Sequence, residues 1–159
     1  MNPSTVHSVQ AFVQAEARML NQALYRDWLA LFAEDGRYWV PLGGDAQDES
    51  DVHNALANED RLLLTLRVER LLAGRAHSQQ PASRSAHVLQ SPQVDACDEQ
   101  HAVVYTPFTY VESRGEQQMW LAGQWCHRLR REQGAWRIAL KRVNLLNAGA
   151  AHSAIQLFP

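Results

Sequence analysis

The hydrophobic period of the chain changes once, near Ser83, and this change constrains the fold more than any other feature. Upstream, apolar residues recur three or four positions apart; downstream, they alternate with polar ones. Val6, Val9, Phe12, Val13, Ala17 and Leu20 follow Ser4 and Thr5, which are suitable caps, so a first helix is expected there. Asn21 restarts a second short helix carrying Leu24, Trp28, Leu31 and Phe32. Glu34, Asp35 and Gly36 end the helical pattern, and residues 37–42 have strand composition, with Pro41 closing the strand or marking an edge. Residues 43–57 open with two glycines and carry Asp45, Asp48, Glu49 and Asp51, the composition of an exposed loop. Asn58 is the expected cap of a helix beginning at Glu59, with Leu62, Leu63, Leu66, Leu71 and Leu72 on its buried face and Gly74 as its stop. A loop containing Pro81 follows.

Beyond Ser83 four strands are expected, at 84–94, 101–112, 119–131 and 135–146. Their short connections make an antiparallel meander. In the third strand Met119, Leu121, Trp125 and Leu129 share one face, while Gln124, Arg128 and Arg130 share the other. In the last, the parity of Trp136, Ile138 and Leu140 passes to that of Val143 and Leu145, which predicts a bulge near Lys141 and Arg142. Helices segregated onto one face of a long curved sheet give an α+β cone, in a single domain spanning residues 1–159. A domain of this length buries roughly 68–70% of its unfolded surface, so 46% hydrophobic residues suffice without disulfides or a structural metal.

Composition narrows the function. Fifteen Lys and Arg against 17 Asp and Glu leave a net charge of -2, without the basic excess of a nucleic-acid binder. No apolar run approaches the roughly 18 residues of a membrane span, and the opening residues lack the charged start and apolar core of a signal peptide, so a cytoplasmic chain is expected. Cys97 and Cys126 form no CxxC and read as free thiols. The seven histidines (His7, His53, His77, His87, His101, His127 and His152) form no HExxH and no helical pair, so no protein-bound metal is expected. A Rieske cluster needs two Cys and two His; Cys126 adjoins His127, but Cys97 has no histidine within three residues. GxGxxG, GK[ST] and GxSxG are absent.

What remains is a diffuse set, Tyr25, Asp35, Tyr38, His87, Tyr105 and Tyr110, that could converge inside a cone. An Asp or His base with tyrosine donors can abstract a proton next to a carbonyl, the chemistry of a stand-alone isomerase or dehydratase. The competing reading is that the rings pack and the hydroxyls meet water. Trp120, on the opposite parity to Trp125, is the best candidate among five tryptophans for a protein interface.

Four segments carry a resemblance: EARMLNQALYRDWLALFAEDGRYWVPL at 16–42, EDRLLLTLRVERLLAGRA at 59–76, PASRSAHVLQSPQV at 81–94 and WRIALKRVNLLNAGAAHSAIQLFP at 136–159. In this order and at these separations the chain resembles the small (beta) subunits of aromatic-ring-hydroxylating dioxygenases. The resemblance implies a cystatin-like or nuclear-transport-factor-2-like cone and a chain with no redox centre of its own. It further implies a large (alpha) subunit holding the Rieske [2Fe-2S] cluster and the mononuclear iron, and a homotrimer of small subunits within a complex of three large and three small chains. The ending beyond Asn147 resembles subunits from enzymes acting on benzoate-like acids. No catalytic residue transfers. Arg128, Arg130, Arg131, Arg137, Lys141 and Arg142 make the final hairpin basic, whereas the 43–57 loop is acidic. Trp120, Arg128, Arg130, Arg137 and Lys141 are therefore the candidate subunit interface, facing either the acidic loop of the next small subunit or the large subunit; the competing reading is that both clusters are solvated.

Overall fold

The computed structural model describes residues 1–77, 82–150 and 155–159. Helices α1 (Pro3–Asn21) and α2 (Tyr25–Leu29) lead into strand β1 (Phe32–Pro41), a 3-10 turn at Gly44–Ala46, β2 (Ala55–Asp60) and helix α3 (Arg61–His77). Strands β3 (Arg84–Leu89), β4 (Gln93–Cys97), β5 (His101–Arg114), β6 (Gln117–Glu132) and β7 (Ala135–Leu145) follow. The α+β cone expected from the sequence is the fold observed.

Helix α1 starts earlier than Ser4 and Thr5 suggest. Asn2 is the cap, its Oδ1 accepting from the Ser4 N–H, and Pro3 occupies the first turn, where a missing N–H does no harm. Val9, Val13, Ala17 and Leu20 form its buried stripe. The second helix is only five residues long, so Phe32 opens a strand instead of closing a helix. Glu34, Asp35 and Gly36 lie within β1, at an irregularity in its pairing with β7 between Phe32 and Arg37. A Cβ on Gly36 would stand 2.5 Å from the Ile138 carbonyl oxygen, so only glycine permits this approach of the two backbones.

The expected loop at 43–57 gives way to β2 at its end, and the cap of α3 is Asp60, not Asn58: Asp60 Oδ1 accepts from the Leu63 N–H at 2.9 Å. The phase of α3 also differs from expectation. Leu64 and Val68 are buried, whereas Leu62, Leu63 and Leu66 are exposed. The helix continues past Gly74, whose missing side chain faces open space. Pro81 lies outside the described residues.

The expected 84–94 strand is two strands, β3 and β4, both paired with β5. β5 and β6 run antiparallel from His101↔Arg130 to Arg114↔Gln117, and β6 pairs likewise with β7. The seven-stranded sheet has the order β2-β1-β7-β6-β5-β3, with β4 beside β5. It is mixed, because β1 runs parallel to β7. Arg128 pairs with Leu140 and Leu129 with Ile138, which makes Ala139 the extra residue. The bulge thus precedes Lys141 and Arg142 and turns Lys141, Val143 and Leu145 inward while Arg142 and Asn144 face out.

Candidate functional site

The inner face of the sheet and helices α1 and α2 enclose a polar cluster at the centre of the core. Glu16 sits on the buried stripe of α1, between Val13 and Leu20, and is fully inaccessible. Its Oε1 accepts from Lys141 Nζ at 2.5 Å and from Trp28 Nε1 at 3.0 Å; its Oε2 lies 2.7 Å from His127 Nε2. The Lys141 ammonium also stands 3.5 Å from the centre of the Trp125 ring. Burial alone would raise the Glu16 pKa, but the Lys141 charge and the His127 contact together hold the carboxyl well below its ordinary range. For Lys141, burial pushes the ammonium down and Glu16 opposes it.

Beside this cluster the segment 155–159 enters the interior, with Leu157, Phe158 and Pro159 buried and Gln156 exposed. Glu112 accepts from the Gln156 N–H at 3.1 Å and the Leu157 N–H at 2.8 Å, and takes a third hydrogen bond from Tyr110 OH at 2.7 Å. Arg67 Nη2 donates to the Leu157 carbonyl at 2.8 Å, and Tyr38 OH donates to the Pro159 carbonyl at 3.0 Å. The Phe158 ring packs against Trp28, Tyr38 and Tyr25 at centroid distances of 4.4, 5.6 and 5.9 Å, with the Arg67 guanidinium 4.2 Å from its centre. The N–H groups of Gln156 and Leu157 and the carbonyls of Leu157 and Pro159 thereby find partners inside the protein.

His87 lies between the two halves. Its Nε2 is 3.0 Å from the Phe158 carbonyl and its Nδ1 is 2.9 Å from Asn21 Oδ1. Burial, reinforced by the Lys141 charge, pushes its pKa down to about 3, so the ring is neutral. Both ring nitrogens thus face acceptor oxygens, the Phe158 carbonyl and the Asn21 Oδ1 that already accepts the His87 backbone N–H, and the single N–H of a neutral ring can donate to one of them. Burial likewise raises the Tyr25, Tyr38 and Tyr110 hydroxyls, with the neighbouring Glu112 carboxylate adding to the rise at Tyr110.

Of the six residues that could have formed a reaction pocket, Tyr25, Tyr38, His87 and Tyr110 do converge. Asp35 does not: its exposed carboxylate pairs with Arg130 outside the cone. Tyr105 is half-buried on the opposite face of β5. The space the four share is filled by Phe158 and its neighbours, and both nitrogens of the candidate base His87 face protein partners. Glu16, Arg67, Glu112 and Phe158 escaped the sequence reading, and His127 entered it only as a possible metal ligand. One signal was available for Glu16, a carboxylate placed at a core position of an apolar stripe.

The candidate interface residues divide. Trp120 is 64% exposed on the outer face of β6. Arg128 is paired with Glu49, and Arg130 with Asp35 and Glu132, so the basic hairpin meets acidic residues of its own chain. Arg137 is half-buried on the same outer face, opposite Arg130. Lys141 is not a surface residue; the bulge at Ala139 turns it into the core. Arg142 is buried beneath the acidic loop, donating to the carbonyls of Gly44 at 2.9 Å and Gln47 at 2.7 Å and lying 4.6 Å from the Trp39 ring.

Cys97 and Cys126 are both free, on strands separated by β5. Among the described residues no three His, Cys, Asp or Glu side chains come together as a metal site, and the donors do not fit a Rieske cluster. His152 lies outside the described residues. Among them, no helix is long and apolar enough to cross a membrane.

A curved sheet wrapped around helices, with its interior closed by the chain itself, defines a cone of the nuclear-transport-factor-2 type. Solved structures share it. The beta subunit of benzoate 1,2-dioxygenase from Burkholderia mallei superposes with a TM-score of 0.73 at 22% identity, covering 87% of this chain and 89% of that one. A chain of naphthalene 1,2-dioxygenase gives 0.75 at 18% identity, covering 98% and 85%. Residues 15–150 match the family described as ring hydroxylating beta subunit, and the chain belongs to it. The small oxygenase component of the p-cumate 2,3-dioxygenase system of Pseudomonas putida is 32% identical over 157 residues, covering 96% of this chain and 86% of that protein.

Proposed function

We propose that this chain is the non-catalytic small subunit of a cytoplasmic aromatic-ring-hydroxylating dioxygenase, and that it supports assembly and stability of a large subunit bearing the Rieske cluster and the mononuclear iron. The observation that carries this reading is the filled cone. The four aromatic and imidazole groups that a dehydratase or isomerase would use are spent on holding residues 155–159, and Asp35 is outside. Function then resides on the outer surface, where Trp120 and Arg137 remain candidates for contact with other subunits, in a complex of three large and three small chains. The 32% identical relative named for p-cumate, an aryl carboxylate, supports an aryl carboxylate as substrate of the complex.

The test is co-expression of this chain, carrying an affinity tag, with the large oxygenase subunit encoded beside it. The expected result is co-purification of a brown complex with equal amounts of the two chains, and oxidation of benzoate-like acids that depends on the large subunit's iron. A tagged chain that purifies alone from cells making soluble large subunit would overturn the reading.

A further inference from the structure

The outer face of the sheet, opposite the helices, is apolar at one end. Val88, Thr109 and Ala122 lie side by side across β3, β5 and β6, with Leu146 just beyond β7 bonded to Ala122, and Ala86, Val111 and Trp120 form the next row. Val88 is 67% exposed and Leu146 80%, so nothing among the described residues covers these two ends of the first row. Exposed apolar side chains in contiguous rows mark an interaction site. Next to them runs an open groove of about 680 Å³, floored by Pro107, Ala122 and Gly123 and walled by residues 42–45 and 146–150. Gly123 cannot carry a side chain, because a Cβ there would stand 2.2 Å from the Asn144 carbonyl oxygen.

Trp120 projects from the same face, two residues along β6 from Ala122, yet does not line the groove. A bulky knob and an empty hole, displaced from one another on one face, are complementary head to tail, the relation that closes a ring of identical copies. The charges on this face favour a second copy over an acidic partner. Arg128, Arg130 and Arg142 are already matched by Glu49, by Asp35 and Glu132, and by loop carbonyls. With these three matched, Arg137 is the remaining basic residue of the hairpin on this face, so two such faces approach with the repulsion of few like charges.

We propose that Trp120 of one copy seats in the groove of a second copy of this chain, anchoring the contact between small subunits. The proposal rests on the small-subunit reading and adds to it a residue and its receptor. A photoreactive benzoylphenylalanine at position 120, which keeps the aromatic bulk, tests it in the complex with the large subunit. Irradiation is expected to join two small subunits, with the adduct on residues 42–46, 107–109 or 144–150 of the second copy. Ala122→Arg, which fills the groove without touching position 120, should reduce that product at least tenfold. An adduct on the large subunit, or no product joining two small subunits, overturns the proposal while leaving the subunit reading intact. Failure to co-purify with the large subunit instead sinks the subunit reading, and irradiation of the free chain then decides the contact by the same criteria.

Discussion

Glu16 on the first helix and Lys141 on the last strand are joined by a 2.5 Å hydrogen bond with neither side chain exposed to solvent. The pair, 125 residues apart in sequence, pins α1 to β7 through the middle of the sheet. An ion pair so placed offsets its own desolvation only while both members are present. Lys141→Ala leaves the buried Glu16 carboxylate without its ammonium, with His127 and Trp28 as its remaining partners, and is expected to cost about 3–5 kcal/mol of unfolding free energy. The double variant Glu16→Leu with Lys141→Met removes both charges together and should recover part of that loss, the remainder reflecting the Trp28 and His127 groups that bond Glu16. Urea titration of the three proteins checks this; equal stability of the single variant and the parent would refute it.

How much of this arrangement is legible in the sequence depends on what sets each contact. The period change at Ser83, the stripe of α1 and the β5–β6–β7 hairpins are local, and they are read correctly because packing follows the side-chain period. Lys141 is misplaced because the parity of β7 switches at Ala139, two residues before the expected bulge; the true position sends a cation inward beside Val143 and Leu145. In α3 leucines occupy so many positions that periodicity cannot fix which of them face the core, and contacts with β1 and β2 decide for Leu64 and Val68. The Glu34, Asp35 and Gly36 run is a stop signal for helices and equally the composition of a kinked strand, so only the parallel pairing with β7 resolves it. Nothing local marks Phe158 as the residue that fills the cone.

His87 supplies a pH dependence whose sign is fixed by its burial. Its folded pKa, about 3, lies below the ordinary 6.5, so the unfolded chain binds the proton first as pH falls. Stability from this site is complete above pH 6.5 and declines below it by about 1.4 kcal/mol per pH unit until the folded pKa is reached. Denaturation midpoints measured between about pH 7.5 and 5 should fall accordingly, and His87→Gln should flatten that part of the profile. A parent profile already flat over this range would show that His87 is not buried as a neutral ring.

Arg128 and Arg142 share the outer face and predict opposite outcomes. The Arg128–Glu49 pair is about half exposed, and such pairs contribute about 0–1 kcal/mol, so Arg128→Ala should leave stability nearly unchanged. Arg142 is buried and holds the loop by its carbonyls; Arg142→Ala should release residues 43–54 to rapid proteolytic cleavage. Limited trypsin-independent proteolysis, for example with thermolysin, followed by mass spectrometry reads the difference. Equal cleavage rates in the two variants would contradict the anchoring role.

Cys97 and Cys126 are free, and burial raises both thiols above their ordinary pKa, with the Asp98 charge adding to the effect at Cys97 and the Asp45 charge at Cys126. Neither is an activated nucleophile. Replacing both with serine should leave co-purification with the large subunit and turnover of the complex within about twofold of the parent. Loss of turnover in a complex that still assembles would assign one of them a role in the chemistry.

Phe158 offers the most direct probe of the closed cone. Its ring is 1% exposed and contacts Trp28, Tyr38 and Tyr25, so Phe158→Ala removes a large buried ring from surroundings that the sheet and helices hold in place. Such truncations cost about 3–5 kcal/mol, the spread reflecting how far the site collapses. If Glu112, Arg67 and Tyr38 still hold the backbone of residues 155–159, the space left is apolar and aromatic-walled, and a dry cavity of that kind binds small arenes. Toluene should then raise the melting temperature of Phe158→Ala by several degrees and leave the parent unchanged. A collapse that fills the space would abolish the toluene effect while keeping the destabilisation. A variant as stable as the parent would show that residues 155–159 do not close the cone, and would reopen the pocket of Tyr25, His87 and Tyr110 as a place for chemistry.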